Sequence, residues 1–483
     1  MAKGDIDFDW NETRTLDNGL VLPSDALNRS RYAKFLYNYL VDNSSQNGYV
    51  LNLNAQWGAG KTYFINRWMD SIKDTHPVVY IDAWKQDYSN DPMLTVVSSI
   101  TDSLEKLLPD GNHEAIDLKN KATRFFKAAA PFLIKGLIKK ATGMNIDEVD
   151  DEISSDSDIS GEIGAALSKC LIDDHNEKLK TVEYLRDDIK SLITAIDPKK
   201  ELELPAFIFI DELDRCRPTY AVEMLEVIKH FFEIENIVFV VATDTEQLQH
   251  AVKAIYGEGF DAQTYLGRFF RRRYSLTETS RYEFVKQMVG ESYEIKKEWE
   301  LYVPTIECPN DIWEQVSIIS NIFNLSLRET EQLTDKYLAI LSSNSKNMSP
   351  YLLLILFVLR DKFYSIYASW INYDNNSSFK IENQNFNTIK LSFLRNNNGG
   401  FNASTNLGCF GFDLSDFLIT MNKYCYNSSP MDKQNISNDL QRTMNYNNGN
   451  DGHKDYLKMQ LLYLSALKKD YIEWVEYATS FDE

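Results

Sequence analysis

A short apolar run, Tyr49 to Leu53, leads directly into Ala55-Gln56-Trp57-Gly58-Ala59-Gly60-Lys61-Thr62. A segment of helical periodicity follows, with Phe64, Ile65, Trp68, Met69 and Ile72 on one side. Strand, glycine-rich turn and helix in that order constrain the fold more than any other feature of the chain. Glycines let backbone N–H groups converge at a helix N-terminus, where with the helix dipole they make a rigid cradle for anionic oxygens. A lysine at the end of such a loop supplies charge to the outer phosphates of a nucleotide, and the hydroxyl after it can ligate Mg2+. The segment departs from G-x-x-x-x-G-K-[ST] only at Ala55, small enough for the turn if its dihedrals stay outside glycine-only space.

The flanking pattern extends the same grammar. Residues 30–41 (SRYAKFLYNYLV) read as a helix, and Gln46-Asn47-Gly48 as a turn before the first strand. His76 to Asp82 reads as a second strand, and a helix carrying Leu94, Val97, Ile100, Leu104 and Leu107 on one side follows Asp91-Pro92. Apolar runs return at Ala206 to Ile210, ending in Asp211-Glu212, and at Ile237 to Ala242, ending in Thr243-Asp244. Strands alternating with helices and ending in acid predict a parallel sheet flanked by helices, with its ligand at the carboxyl edge.

Asp211 then stands where it can hold Mg2+ through water, and Glu212 where a base can orient an attacking water. The long separation between Lys61 and Asp211 implies that a helical segment, residues 108–200, is inserted between core strands. Its acidic, serine-rich run from Asp147 to Glu162 reads as a solvated loop rather than a cation site, because it lacks an EF-hand arrangement.

Asp211-Glu212-Leu213-Asp214-Arg215-Cys216-Arg217-Pro218, with the helix Ala221 to Phe232 after it, closely resembles the signature of KAP-family P-loop NTPases. Trp57 to Thr62 resembles that family's phosphate loop, and Asp82-Ala83-Trp84 with Pro92 its aromatic second-strand motif. The similarity runs from about Ser30 to about Arg273, where Tyr265-Leu266-Gly267-Arg268-Phe269 is similar to a further family element. Leu325 to Glu329 looks like a helix start that carries an arginine, here Arg328, near the nucleotide. The resemblance implies an ATPase of the additional-strand type, with Glu212 as its catalytic glutamate and frequent roles in bacterial defence against phages and plasmids. Many members carry transmembrane helices between the two nucleotide motifs. Here that interval holds only Phe125 to Met144, broken by Pro131 and by Lys127, Lys135, Lys139 and Lys140.

Composition narrows the rest. The net charge of −20 disfavours broad affinity for nucleic acid or anionic lipid. The five cysteines are far apart and show no C-x-x-C spacing, so free thiols in a reducing compartment are expected, without structural zinc. The first residues lack the pattern of a secretory signal, and Tyr351 to Leu359, apolar but ending at Arg360-Asp361, reads as a soluble helix. From about 276 onward helical periodicity dominates, for example Ile312 to Phe323 and Thr330 to Leu341. Residues 372–450, rich in Asn, Ser and Gly, read as loops between short elements.

The expectation is an α/β P-loop NTPase core over 1–275 with the inserted helical segment, followed by a mostly α-helical domain over 276–483. Nucleotide would be bound by Gly58, Ala59, Gly60, Lys61, Thr62, Tyr63 and Asp244, and magnesium by Thr62 and Asp211. Catalysis would fall to Glu212, Lys61 and Arg268. Thr243 and Asp244 could sense the outermost phosphate, or Asp244 could simply cap a turn. Helical spacing would place Arg268 beside Arg271 and Arg272, in a cluster with Arg273. Such a cluster could stabilise transition-state charge in cis or across a subunit contact, or pair with the acidic surface; contact with nucleic acid is a third option, which no surrounding aromatic platform motif indicates. The choice among these four and Arg328 stays open, as does ATP against GTP. The expected cofactors are ATP and Mg2+, and the expected setting is a cytoplasmic, homo-oligomeric ATPase working with partner proteins of a multi-component system. A nucleotide-gated scaffold with little turnover is the rival, and a nucleic-acid-stimulated motor is disfavoured by charge.

Overall fold

The computed structural model describes residues 6–44, 48–89, 92–108, 186–187, 189–194, 196, 202–231, 234–276, 280–290, 312–343, 346, 348–372, 390–393, 410–426, 445–446 and 466–480. Most of the expected insertion, including the acidic run and Phe125 to Met144, lies outside them. The chain divides into two compact units, Met1–Glu278 and Thr279–Glu483.

The first unit opens with a two-residue hairpin, β1 (Arg14–Thr15) and β2 (Val21–Leu22), and continues with α1 (Ser30–Asn43), β3 (Tyr49–Asn54), α2 (Lys61–Ile72), β4 (Val78–Asp82), α3 (Ala83–Gln86) and α4 (Pro92–Glu105). It is completed by β5 (Ala206–Asp211), a 3-10 turn at Leu213–Arg215, α5 (Pro218–Phe231), β6 (Ile237–Thr243), α6 (Thr245–Tyr256), α7 (Ala262–Leu266) and β7 (Arg272–Ser275). Strands β4, β5, β6, β3 and β7 form one parallel sheet in that order. β6 therefore lies between the strand that enters the phosphate loop and the strand that ends in Asp211, the additional-strand arrangement that the resemblance implies.

The continuous apolar runs of β5 and β6 follow from burial on both faces, as parallel sheets require. Alternate residues serve opposite layers. Phe207, Phe209, Val238 and Val240 pack with Trp68, Phe64 and Leu36 on the side of α1 and α2. Ile208, Ile210, Phe239 and Val241 pack with Val97, Ile100, Leu225 and Leu248 on the side of α4, α5 and α6. Leu108, Ile189, Leu192 and Ile193, at the two ends of the expected insertion, join this second layer. Trp68 is the centre of the first, edge-on to Phe64 at 5.8 Å and to Phe209 at 5.3 Å.

The second unit contains α8 (Arg281–Val289), α9 (Ile312–Ile322), α10 (Leu327–Ser343), α11 (Pro350–Lys362), α12 (Tyr364–Asn372), β8 (Lys390–Phe393), β9 (Phe410–Asp413), α13 (Leu414–Tyr426), β10 (Asn445–Tyr446) and α14 (Lys468–Thr479). α11 carries the run Tyr351 to Leu359, which is buried all round, and only its last turn, with Asp361 and Lys362, is exposed. It has 13 residues, and among the described residues no helix is long and apolar enough to cross a membrane. The antiparallel sheet β10-β9-β8 stands where only loops and short elements are expected.

Candidate functional site

The site lies at the carboxyl edge of the parallel sheet. Gly58 and Gly60 have φ of 78° and 82°, backbone that Cβ-bearing residues adopt at a cost, and this curls the loop onto the N-terminus of α2. Gly60 is the N-cap and provides no side-chain cap, so the first-turn N–H groups of α2 open toward the edge, as anion binding requires. Ala55 is not among the residues of positive φ, which explains why alanine serves where glycine is usual. The Lys61 side chain is 8% exposed and donates to the carbonyls of Ala55 at 2.7 Å and Gln56 at 3.4 Å.

Asp211, the last residue of β5, is fully buried. Desolvation pushes its carboxyl above the usual range, opposed by the neighbouring Thr62 hydroxyl, by a hydrogen bond from the Glu212 N–H and by the charge of Lys61. Tyr80 on β4 donates to its Oδ2 at 3.5 Å. Glu212 is half-buried, and desolvation followed by the Asp211 charge likewise raises its pKa. The Thr62 hydroxyl donates to Glu212 Oε1 at 3.3 Å, closing the distance between phosphate loop and acidic strand end. Glu212 Oε2 pairs with Arg215 Nε.

These residues fit a magnesium nucleotide. A carboxylate buried this deeply is stabilised by a cation, and Thr62 and Asp211 present hard oxygens side by side, which suits magnesium. The uncapped helix end and Lys61 suit the phosphates.

Other expected residues fall differently. Asp244 caps α6, its Oδ1 accepting from the N–H groups of Glu246 at 3.1 Å and Gln247 at 3.4 Å. The buried Thr243 hydroxyl has no partner among the described residues, so of the two it is the one with a group left for a ligand. The Tyr63 hydroxyl donates to the Pro23 carbonyl at 3.0 Å, which ties its side chain to the N-terminal segment and leaves its backbone N–H in the first turn of α2.

The helical spacing expected of the arginine cluster does not form. α7 ends at Leu266, the chain turns through Gly267 to Phe269, and pairing with β3 draws Arg272 and Arg273 into β7. Arg268 is exposed in that turn. The Arg271 guanidinium lies 5.0 Å from the ring of Tyr49, the first residue of β3, and Arg272 hydrogen-bonds Tyr39 on α1. Both contacts are at the end of β3 opposite the phosphate loop. Arg328 is exposed in the first turn of α10, in the second unit.

Arg29 was not foreseen. It is 3% exposed and donates from Nη1 to the carbonyl of Ala59 inside the phosphate loop at 2.8 Å. The same N-terminal segment grips α2 through Trp10 Nε1 on Ser71 Oγ at 2.9 Å and Arg67 on the Pro23 carbonyl at 2.6 Å. The only sequence signal is an arginine just before a helix, which has many ordinary explanations.

The family model of the KAP family P-loop domain matches residues 29–347, beyond the end of the motif similarity at Arg273. No curated protein matches. Among solved structures, the ORC2 protein of Aeropyrum pernix, determined as ADPNP and ADP complexes, is 11% identical over 94% of each chain, with a TM-score of 0.29. The fold assignment accordingly stands on the family match and on the strand order, with the phosphate loop, Asp211 and Glu212 in the places that a P-loop domain needs. The chain belongs to the KAP family of P-loop NTPases.

Proposed function

We propose that the chain is a magnesium-dependent ATPase whose turnover drives or gates a conformational switch, as the ATPase component of a bacterial anti-phage defence system. The observation that carries the hydrolytic part is the meeting of Thr62 with Asp211 and Glu212 at the end of the phosphate loop. The loop N–H groups and Lys61 bind the phosphates, and Thr62 and Asp211 hold the metal, which when bound neutralises developing charge. Glu212 orients the attacking water and takes its proton; the water adds directly, so no covalent enzyme intermediate forms. Its raised pKa, caused first by desolvation, makes Glu212 a better proton acceptor than an exposed carboxylate. The switch, the defence role, protein partners and self-association rest on the family resemblance.

Phosphate release from ATP and from GTP, with magnesium and with chelator, tests the reading. Glu212→Gln is expected to lower turnover about 100- to 10,000-fold while ATP still binds, the range for loss of a general base. Lys61→Ala is expected to lose binding itself. Wild-type protein that does not turn over ATP but assembles on binding it would replace the enzyme with a nucleotide-gated scaffold.

A further inference from the structure

We propose that Arg215 is the positioning residue of Glu212: it holds one carboxylate oxygen so that the other faces the phosphate loop, and Trp57 and Trp84 hold Arg215 in turn. The inference rests on the reading of Glu212 as the water-orienting base. Glu212 has φ 60° and ψ 27°, left-handed backbone that non-glycine residues seldom occupy. The 3-10 turn that follows carries Arg215 back beside it, and Arg215 Nε pairs with Oε2. Oε1 is left on the side of Thr62, where the hydroxyl donates at 3.3 Å. The two oxygens thus have separate holders, and the carboxylate cannot rotate without breaking the ion pair.

The guanidinium lies 4.9 Å from the ring centre of Trp57 and 5.4 Å from that of Trp84. Trp57 belongs to the phosphate loop and Trp84 to α3, directly after β4. A guanidinium is attracted to an aromatic ring without giving up its charge, so the two rings restrain Arg215 while it keeps its ion pair with Glu212. The end of the helix bearing Trp84 is fastened as well: Arg217 donates from its backbone N–H to Asp87 Oδ2 at 2.9 Å and from Nε to Oδ1 at 3.0 Å. This role accounts for two tryptophans that remain 59% and 53% exposed next to the site.

The test compares the full chain as wild type, Arg215→Ala, Arg215→Lys, the Trp57→Ala/Trp84→Ala pair and the triple variant, by ATP turnover, ATP affinity and acrylamide quenching of tryptophan emission. Arg215→Ala is expected to lower kcat about 10- to 100-fold, with KM and affinity changed by no more than about threefold, as for a misplaced group. Arg215→Lys recovers part of this, because it keeps the charge and loses the plane. The tryptophan pair lowers kcat about three- to tenfold, and the triple variant is no worse than Arg215→Ala alone, the mark of residues acting through one another. Quenching rises in Arg215→Ala without nucleotide, since both rings lose their cover. A kcat within about twofold of wild type, a loss carried by KM, or losses that add in the triple variant would overturn the inference. If Arg215→Ala fails to fold, the surface tryptophan pair decides the question by the same kcat against KM split. Turnover retained by Glu212→Gln would sink the reading of Glu212 itself; turnover lost there but kept in Arg215→Ala sinks only the role of Arg215.

Discussion

Arg29 shows what a single buried charge can do for a loop that must keep its shape. The loop's N–H groups face the ligand only if its carbonyls are held elsewhere, and Arg29 holds that of Ala59 from the side of α1. Burial lowers its pKa, and the charge of Asp25 opposes the effect, so the guanidinium remains a cation at neutral pH. Arg29→Ala is expected to weaken ATP binding about 10- to 150-fold, in line with about 1.5–3 kcal/mol for a charged hydrogen bond, and calorimetric titration checks it. Unchanged affinity beside a lowered melting temperature would make Arg29 a brace of the fold only. The convergence of Lys61, Thr62, Asp211 and Glu212 at one sheet edge was legible in the sequence because loop geometry and strand ends dictate it locally. Arg29 was not, because its partner is a backbone carbonyl 30 residues away, and a carbonyl has no residue type to read. The pairing of Arg215 with Glu212 escaped for a related reason, since it depends on the left-handed backbone at Glu212.

At the scale of elements, the strands were legible wherever burial on both faces leaves a continuous apolar run, as in β5 and β6. β7 was not, because an edge strand of Arg-Arg-Tyr-Ser carries no such run and is a strand only through its pairing with β3. The junction of α1, β4 and β5 turns on His76, which is buried between them. Its Nδ1 faces the carbonyls of Glu203 at 2.9 Å and Pro205 at 3.1 Å, so it carries the proton, and Nε2 accepts from the Tyr37 hydroxyl at 2.8 Å. Desolvation lowers the imidazole pKa below its usual 6.5. The unfolded chain keeps the ordinary value, so as pH falls through about 6.5 the unfolded state takes up a proton that the folded state refuses. Stability is therefore level above that pH from this group and declines from about 6.5 down to the depressed folded value. Urea midpoints between pH 7.5 and 5.5 check this, and His76→Gln is expected to lower the midpoint at pH 7.5 while removing the slope. A slope that survives in the variant would assign the pH dependence to other groups.

At the scale of the molecule, the two units have separate cores. The buried clusters on either face of the parallel sheet draw on residues between Phe8 and Leu276, and the cluster around α11 on residues between Val285 and Ala478. The residues that form the candidate site, from Arg29 to Asp244, all lie in the first unit. The family match, however, runs to 347, past the division at Glu278. A fragment of residues 1–278 separates the two boundaries, because it keeps β7 and every named site residue and omits α8, α9 and α10. Its own cores predict a cooperative thermal transition and ATP affinity within about threefold of the full chain, the range expected when distant residues are independent. Aggregation or loss of the transition would show that the contact boundary is not a folding boundary. A fragment that melts cooperatively but no longer binds ATP would mean that residues beyond 278 contribute to the site, and binding regained by a fragment of residues 1–347 would make the family's limit the functional one.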